Sequence, residues 1–302
     1  MVILWCGQGI NAAQALGVSD SIHLAADEAE LRRFARVRYH NAFAPVALAQ
    51  SLKVSGVVHF MGWHNGETED LRVTLTLALE HGASIICLAM PEAPDSKLLK
   101  NFSPEFNIAS KHICWEALGS PWLASTYILL LANAKCTSSE LQPLLQEKTL
   151  AANKWKVPGF KPDGPRSTAS LERDPVPSTV EAEGNENDSK KGKPMLEQAA
   201  QELQQLLVTG HHQTWYLDAG KSSKRRKPSM VCPQPSAGSV IIARSQGAIF
   251  RLGSAEHLAN LGWTKEVSVV LVEPLKLQQS VLACTLPKAV AEIMLACVSS
   301  IK

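Results

Sequence analysis

The 302-residue sequence lacks the features that define several large classes of protein. Its seven cysteines form no C-x-x-C pair and their number is odd, so neither a zinc site nor a disulfide framework is signalled. Lys and Arg number 30 against 28 Asp and Glu, and the formal charge of +2 gives no global attraction to nucleic acid or to a membrane surface. Any such partner would need a local patch of charge.

No hydrophobic run is long enough to cross a bilayer. The most apolar stretch, WLASTYILLLANA, begins at Trp122 and has about 13 residues, whereas a membrane-spanning helix needs about 20. The N-terminus has no basic segment, and Gly7 and Gly9 interrupt its apolar residues, so no secretory signal is expected. Because the cysteines lie mostly in apolar runs and suggest no disulfides, we expect a cytoplasmic protein, or a nuclear one if the host is a eukaryote.

Residues 1–150 alternate between two hydrophobic periods. The runs VILWC, SIHLA, GVVHFMGW and ASIICLAM are typical of buried strands, and helical patterns such as ADEAELRRFARV and EDLRVTLTLALEHG lie between them. KHICWEAL is predicted as a fifth strand, and SPWLASTYILLLANA, with Pro121 in its first turn, as the helix after it. The sequence therefore predicts an α/β fold with a mostly parallel sheet, Rossmann-like or flavodoxin-like.

The rest of the chain predicts linkers and a smaller module. Residues 157–194 are dense in Pro, Gly, Ser and charge, and we expect a long disordered linker there. An amphipathic helix over 195–209 follows, and then a basic, Pro-rich linker over 221–237. Residues 238–302 predict a small α+β module with a hairpin that turns at Ser245, Gln246 and Gly247, although they could instead add strands to the first sheet.

The stretch CGQGINAA follows the first strand and fits the dinucleotide-binding pattern G-x-G-x-x-A through Gly7, Gly9 and Ala12. Glycines let the backbone approach a pyrophosphate, and the amides of a helix N-terminus bind its charge. Asp27 and Glu28 follow the second strand, where an acid can accept hydrogen bonds from a ribose. NAD(P) or another nucleotide is the expected cofactor; the alternative is an ordinary tight βα turn, with both acids in the first turn of the next helix.

A second polar loop, GWHNGETED, follows the strand VVHFM, where open α/β sheets bind ligands. His64 and Glu67 are the candidate catalytic residues, as a general base with a carboxylate partner; the alternative is a solvated loop carrying helix-terminal charges. No metal site is predicted. The passage GVVHFMGWHNGETEDL resembles the strand–loop–helix segment of reductase-like domains in polyketide synthases. That resemblance implies a reductase-type domain without its catalytic Tyr and Lys, because no tyrosine here has a lysine four residues later.

Two further features suggest a different class of function, a non-enzymatic adaptor. The apolar stripe from Leu196 to Leu207, within the predicted helix 195–208, could bind a protein partner. The run from Lys221 to Lys227 holds five cations in seven residues and could make weak, salt-sensitive contacts with nucleic acid. The alternative is a solvated linker whose charge balances the acidic stretch EAEGNEND.

Overall fold

The structure is a computed structural model that describes most of the chain in separate stretches. These are residues 2–7, 9–18, 20–25, 43–45, 57–120, 122, 124–133, 138–152, 196–206, 214–234, 239–245, 248–252, 257–258, 260–263 and 285–301. The chain divides into two compact units. Unit 1 comprises residues 1–156, 273–275 and 284–302, and unit 2 comprises residues 157–272 and 276–283.

Unit 1 is built on a seven-stranded sheet of order β3-β2-β1-β4-β5-β7-β6. In chain order its strands are β1 Val2–Cys6, β2 Ser21–Ala25, β3 Phe43–Pro45, β4 Val58–Trp63, β5 Ile85–Met90, β6 Phe106–Cys114 and β7 Ser125–Asn133. The first five strands pair with one another in parallel, and β7 is antiparallel to both β5 and β6. The chain moves outward from β1 to β3 and returns to β4 on the other side of β1. The direction of winding therefore reverses between β1 and β4.

The two units contain six α-helices of four or more described residues. They are α1 Ala12–Ala15, α2 Thr68–Glu80, α3 Ser96–Phe102, α4 Ser138–Ala151, α5 over 196–204 and α6 Lys288–Ser300. The prediction of α2 is confirmed: Glu69 and Asp70 lie in its first turn, and Gly82, with a φ of 64°, follows its end. Leu71 and Leu75 recur at helical spacing, and both are fully buried in the core against the sheet.

The prediction of a helix over SPWLASTYILLLANA is wrong, because residues 125–133 form β7. This strand is hydrogen-bonded on both sides, and its central residues Ile128 and Leu131 are 0% exposed. A strand buried on both faces has a continuous apolar sequence, which periodicity cannot distinguish from a buried helix. The β-branched and aromatic residues Thr126, Tyr127 and Ile128 were the signal that favoured a strand.

Unit 2 contains a three-stranded antiparallel sheet of order β10-β9-β8. Its strands are β8 Trp215–Asp218, β9 Ile241–Ser245 and β10 Ala248–Arg251, and the pairing of Ser245 with Ala248 confirms the predicted hairpin. Helix α5 packs its apolar residues Ala199 and Leu203 against this sheet. The Arg244 guanidinium donates to the carbonyls of Leu203 and Leu206 at 3.0 and 2.8 Å and so caps the end of α5.

The segment 238–302 is divided between the two units. The hairpin lies in unit 2, while the closing helix α6 belongs to unit 1. The predicted helix ADEAELRRFARV, the acids Asp27 and Glu28, and the predicted linker 157–194 lie outside the described residues. Within the described part of the chain, no helix has the length and apolar character that crossing a membrane requires.

Candidate functional site at the carboxyl edge of the sheet

Four loops of unit 1 meet at one edge of the sheet. Strands β1, β4, β5 and β6 all end at this edge, and β7 begins there, as the pairing of Met90 with Tyr127 and of Cys114 with Ser125 requires. The loops that follow these strands span residues 7–11, 64–67, 91–95 and 115–124. Open α/β sheets bind ligands at the carboxyl ends of their strands, at the point where the winding reverses, which here lies between β1 and β4.

Gly7 and Gly62 bring the ends of β1 and β4 into close contact. A Cβ on Gly7, whose φ is 103°, would overlap the carbonyl oxygen of Trp63 and lie 3.1 Å from its carbonyl carbon. A Cβ on Gly62 would overlap the carbonyl oxygen of Cys6 and lie 2.8 Å from its Sγ. Contact between two strands therefore accounts for the glycine at position 7.

The predicted phosphate loop is closely packed at the start of α1. Gly9 and Ala12 are buried, and the Asn11 side chain caps the helix by accepting from the Gln14 N–H at 3.1 Å. The Ile10 N–H donates to the Thr285 hydroxyl at 3.5 Å. Helix α1 has only four residues, so its dipole is small. An anion bound at this turn would compete with hydrogen bonds that the protein already makes.

His64 is buried at the carboxyl end of β4, with 6% of its surface exposed. Its backbone N–H donates to the Ala89 carbonyl at 2.8 Å, and its Nδ1 accepts from the Gly66 N–H at 3.0 Å. Burial lowers the pKa of His64, and the backbone and charge of Asp70 and the charge of Glu67 only partly offset that effect. The ring is therefore neutral at neutral pH, with its proton on Nε2 and its Nδ1 lone pair occupied.

Glu67 lies in the same loop as His64 but is exposed. It immediately precedes α2, and its N–H donates to Asn65 Oδ1 at 3.0 Å. Asn65 Nδ2 in turn donates to Asp70 Oδ2 at 3.0 Å. The structure thus brings both predicted catalytic residues to one edge of the sheet. There the negative charge of Glu67 acts to raise the pKa of His64.

The sequence reasoning missed the loop between β6 and β7. Trp115 and Trp122 are buried there with ring centroids 6.2 Å apart, and the Trp115 indole N–H donates to the Thr126 hydroxyl at 2.9 Å. Ser120 accepts from the Trp122 N–H at 3.1 Å. The tripeptide Gly-Ser-Pro at 119–121 was a turn signal that could have separated two strands here.

Comparison with known proteins establishes the fold. No protein-family model and no curated protein sequence matches the chain. A prophage-encoded E. coli protein described as a DNA modification methyltransferase is similar in structure, with a TM-score of 0.57, 10% identity and 99% of each chain covered. The Dnmt2 methyltransferase of S. pombe has a TM-score of 0.53, 9% identity and the same coverage. The chain therefore has a methyltransferase-like, Rossmann-like α/β fold, which confirms the predicted fold class.

These comparisons correct the predicted function. The prediction of a nucleotide-binding domain of the NAD(P) reductase type is wrong, because these two structures, which are similar over nearly the whole chain, are described as methyltransferases. The use of the amphipathic helix for a protein partner, which is the adaptor hypothesis, stays a prediction. The apolar residues Ala199 and Leu203 of α5 are 0% exposed, since they pack inside unit 2.

Proposed function

We propose that this protein binds S-adenosylmethionine at the carboxyl edge of unit 1 and uses it as a methyl donor. The observation that carries the proposal is the reversal of winding between β1 and β4, which is the position at which open α/β sheets bind ligands. The likeness to two proteins named as methyltransferases supports this assignment of the ligand.

The residues at this edge suit S-adenosylmethionine better than a dinucleotide. A pyrophosphate needs a helix N-terminus with available amides, whereas α1 has four residues and the Ile10 N–H is already engaged. S-adenosylmethionine carries no phosphate; its polar groups are an amino-acid end, ribose hydroxyls and an adenine. The exposed Asn65, Glu67 and Asp70 offer amide and carboxylate groups to an ammonium or a hydroxyl. Asp27 and Glu28 remain the predicted partners of the ribose.

His64 acts in this proposal as a hydrogen-bond donor rather than as a general base. When bound, S-adenosylmethionine supplies an electrophilic methyl group on a positively charged sulfur. A neutral imidazole adds no second positive charge at this edge, and burial keeps His64 neutral. The Gly66 N–H occupies Nδ1, so the ring N–H is at Nε2, where the ligand would share it with the backbone of Asp70.

Calorimetric titration of the full chain tests the proposal. We expect S-adenosylmethionine and S-adenosylhomocysteine to bind, and NAD and ATP not to bind. His64→Gln should weaken binding about tenfold, the equivalent of one hydrogen bond. His81→Gln is the matched control, because His81 lies at the opposite end of α2, at the other edge of the sheet. The absence of binding, or equal losses in the two variants, would overturn the proposal.

A further inference from the structure

Four of the five cations in the run from Lys221 to Lys227 are exposed on one closed loop of unit 2. The loop leaves β8 after Asp218 and returns at Ser229, whose backbone N–H and carbonyl pair with those of Tyr216 at 2.9 and 2.7 Å. We infer that residues 219–228, the basic loop, bind the phosphate backbone of nucleic acid. The exposed cations are Lys221, Lys224, Arg225 and Lys227.

A buried carboxylate fixes the start of the basic loop. Asp218 is 3% exposed and accepts from the Gly220 N–H at 3.0 Å, the Val240 N–H at 3.1 Å and the Ser239 hydroxyl at 2.9 Å. Three such bonds satisfy a buried carboxylate without a cation. Lys221 Nζ lies 3.8 Å from the same group, too far for a hydrogen bond. Lys221 therefore forms only a weak ion pair with Asp218, and its exposed ammonium can also contact a partner.

The fifth cation of the run, Arg226, anchors the end of the basic loop to helix α5. The side chain of Arg226 is 0% exposed, and its guanidinium donates to both oxygens of Glu202 on α5, at 2.9 and 2.7 Å. The N–H groups of Arg225 and Arg226 both donate to the Ser222 carbonyl, which closes a turn. A solvated linker would need none of these contacts. The loop instead holds its exposed cations in a fixed arrangement.

The charge of the basic loop is not neutralised within the described residues. Among these, Lys224, Arg225 and Lys227 have no anionic partner, so their mutual repulsion opposes folding. An anionic polymer removes this repulsion and gains entropy by releasing its own counterions. A fixed set of ammonium and guanidinium groups suits the regularly spaced phosphates of nucleic acid. A membrane surface would favour several apolar anchors, and the stretch 221–232 exposes only Met230 among its large apolar residues.

This inference goes beyond the proposed function and does not require it. If both hold, nucleic acid becomes the candidate methyl acceptor. Removing charges from the basic loop should leave the binding of S-adenosylmethionine to unit 1 unchanged, so the two proposals fail in distinguishable ways.

Fluorescence anisotropy of the full chain tests the inference with three probes: a short DNA duplex, an RNA hairpin, and phosphatidylserine vesicles as the competing surface. The test variant is Lys224→Gln/Arg225→Gln/Lys227→Gln. The control Lys97→Gln/Lys100→Gln/Lys111→Gln removes the same charge from unit 1. We expect the test variant to raise the Kd for nucleic acid at least tenfold and to lower the slope of log K against log salt by about 2 to 3, between about 50 and 200 mM NaCl. The control should stay within about twofold of the parent.

A charge-preserving variant completes the experiment. Lys224→Arg/Lys227→Arg should bind nucleic acid at least as tightly as the parent, because it retains every positive charge that the phosphates can contact. The relative strength of the DNA and RNA arms identifies the type of nucleic acid. Three results would overturn the inference: no binding of either nucleic acid, equal losses in the test and control triple variants, or binding to vesicles alone.

Discussion

The α-carbon of Gly7 lies so close to the carbonyl group of Trp63 that a methyl group on it would overlap the oxygen. A methyl group on Gly62 would likewise overlap the Cys6 carbonyl oxygen, so the end of each strand packs against a glycine at the end of the other. Glycine is therefore required at position 7 whether or not a ligand binds. The glycine that most resembled part of a phosphate loop is a packing residue at the point where the sheet reverses its winding.

Gly7→Ala should destabilise unit 1 strongly. The substitution places a side chain at a φ of 103° and forces the ends of β1 and β4 apart, which together should cost about 3 kcal/mol or more of unfolding free energy. Urea denaturation followed by circular dichroism measures the loss.

Gly17→Ala is the control for backbone strain alone. Gly17 has a φ of 87°, but a Cβ there would meet nothing within 4 Å. We expect a loss of about 1 kcal/mol. If the two variants lost equal stability, the contact with Trp63 would not be the reason for Gly7.

The sequence predicted four of the five parallel strands and missed β3, and at the antiparallel end it predicted only the segment KHIC of β6 as a strand. Strands β1, β4 and β5 are short apolar runs, and helix α2 has a helical period and a boundary signal in Gly82 at its end. Strand β7 differs in length, because its apolar run is as long as a short helix. A strand that lies inside the sheet but late in the sequence depends on long-range pairing, which a local pattern does not encode.

The sequence predicted two separate loops of the candidate site, but it did not predict which residues of those loops would contact each other at the edge of the sheet. The sequence indicated the loops at Gly7 and His64 because each follows an apolar strand. It predicted neither the contact of Gly7 with Trp63 nor the hydrogen bond that orients the His64 ring, because both depend on the register of β1, β4 and β5. The loop over residues 115–124 was hidden by the wrong prediction of a helix.

Glu202→Ala should destabilise unit 2 more than the position of Glu202 on a helix surface suggests. The substitution leaves the Arg226 guanidinium, which is 0% exposed, without its carboxylate partner, and we expect a loss of about 3 kcal/mol. Native-state hydrogen exchange of the β8 and β9 amides measures the loss in this unit.

The exposed pair Glu69–Arg72 on α2 is the control for this ion pair. Glu69→Ala should cause no measurable change, because water already solvates both groups. The double variant Glu202→Leu/Arg226→Met should recover most of the stability that Glu202→Ala loses, since it leaves no buried charge. A large loss in the double variant would contradict this explanation.

Arg244→Met should loosen the C-terminal end of α5. Methionine retains the aliphatic stem but removes the donors to the carbonyls of Leu203, Gln204 and Leu206. We expect a loss of about 1 to 2 kcal/mol, and faster hydrogen exchange confined to α5. Arg225→Met removes an equal charge from the exposed part of the basic loop and should leave that exchange unchanged.

Unit 2 should lose stability in mild acid because of His257. This residue is 1% exposed, and neither ring nitrogen has a hydrogen-bond partner in the described part of the unit. Burial, reinforced by the positive charge of Arg251 and partly opposed by Asp218, lowers the pKa of His257 to about 4. The folded state therefore binds fewer protons than the unfolded state between about pH 6.5 and pH 4. The free energy of unfolding falls through that window as the pH falls, by about 2 kcal/mol between pH 6.5 and pH 5.

The variant His257→Leu isolates this contribution, because leucine has no titratable group and no buried nitrogen to satisfy. Opening free energies of the β9 amides, from hydrogen exchange corrected for the intrinsic effect of pH, should depend on pH less steeply in the variant than in the parent. The slopes of the two profiles should differ most near pH 5 and converge above the pKa of the unfolded histidine. Parallel profiles over the whole range would mean that His257 is already charged in the folded unit, or that another group controls its acid sensitivity.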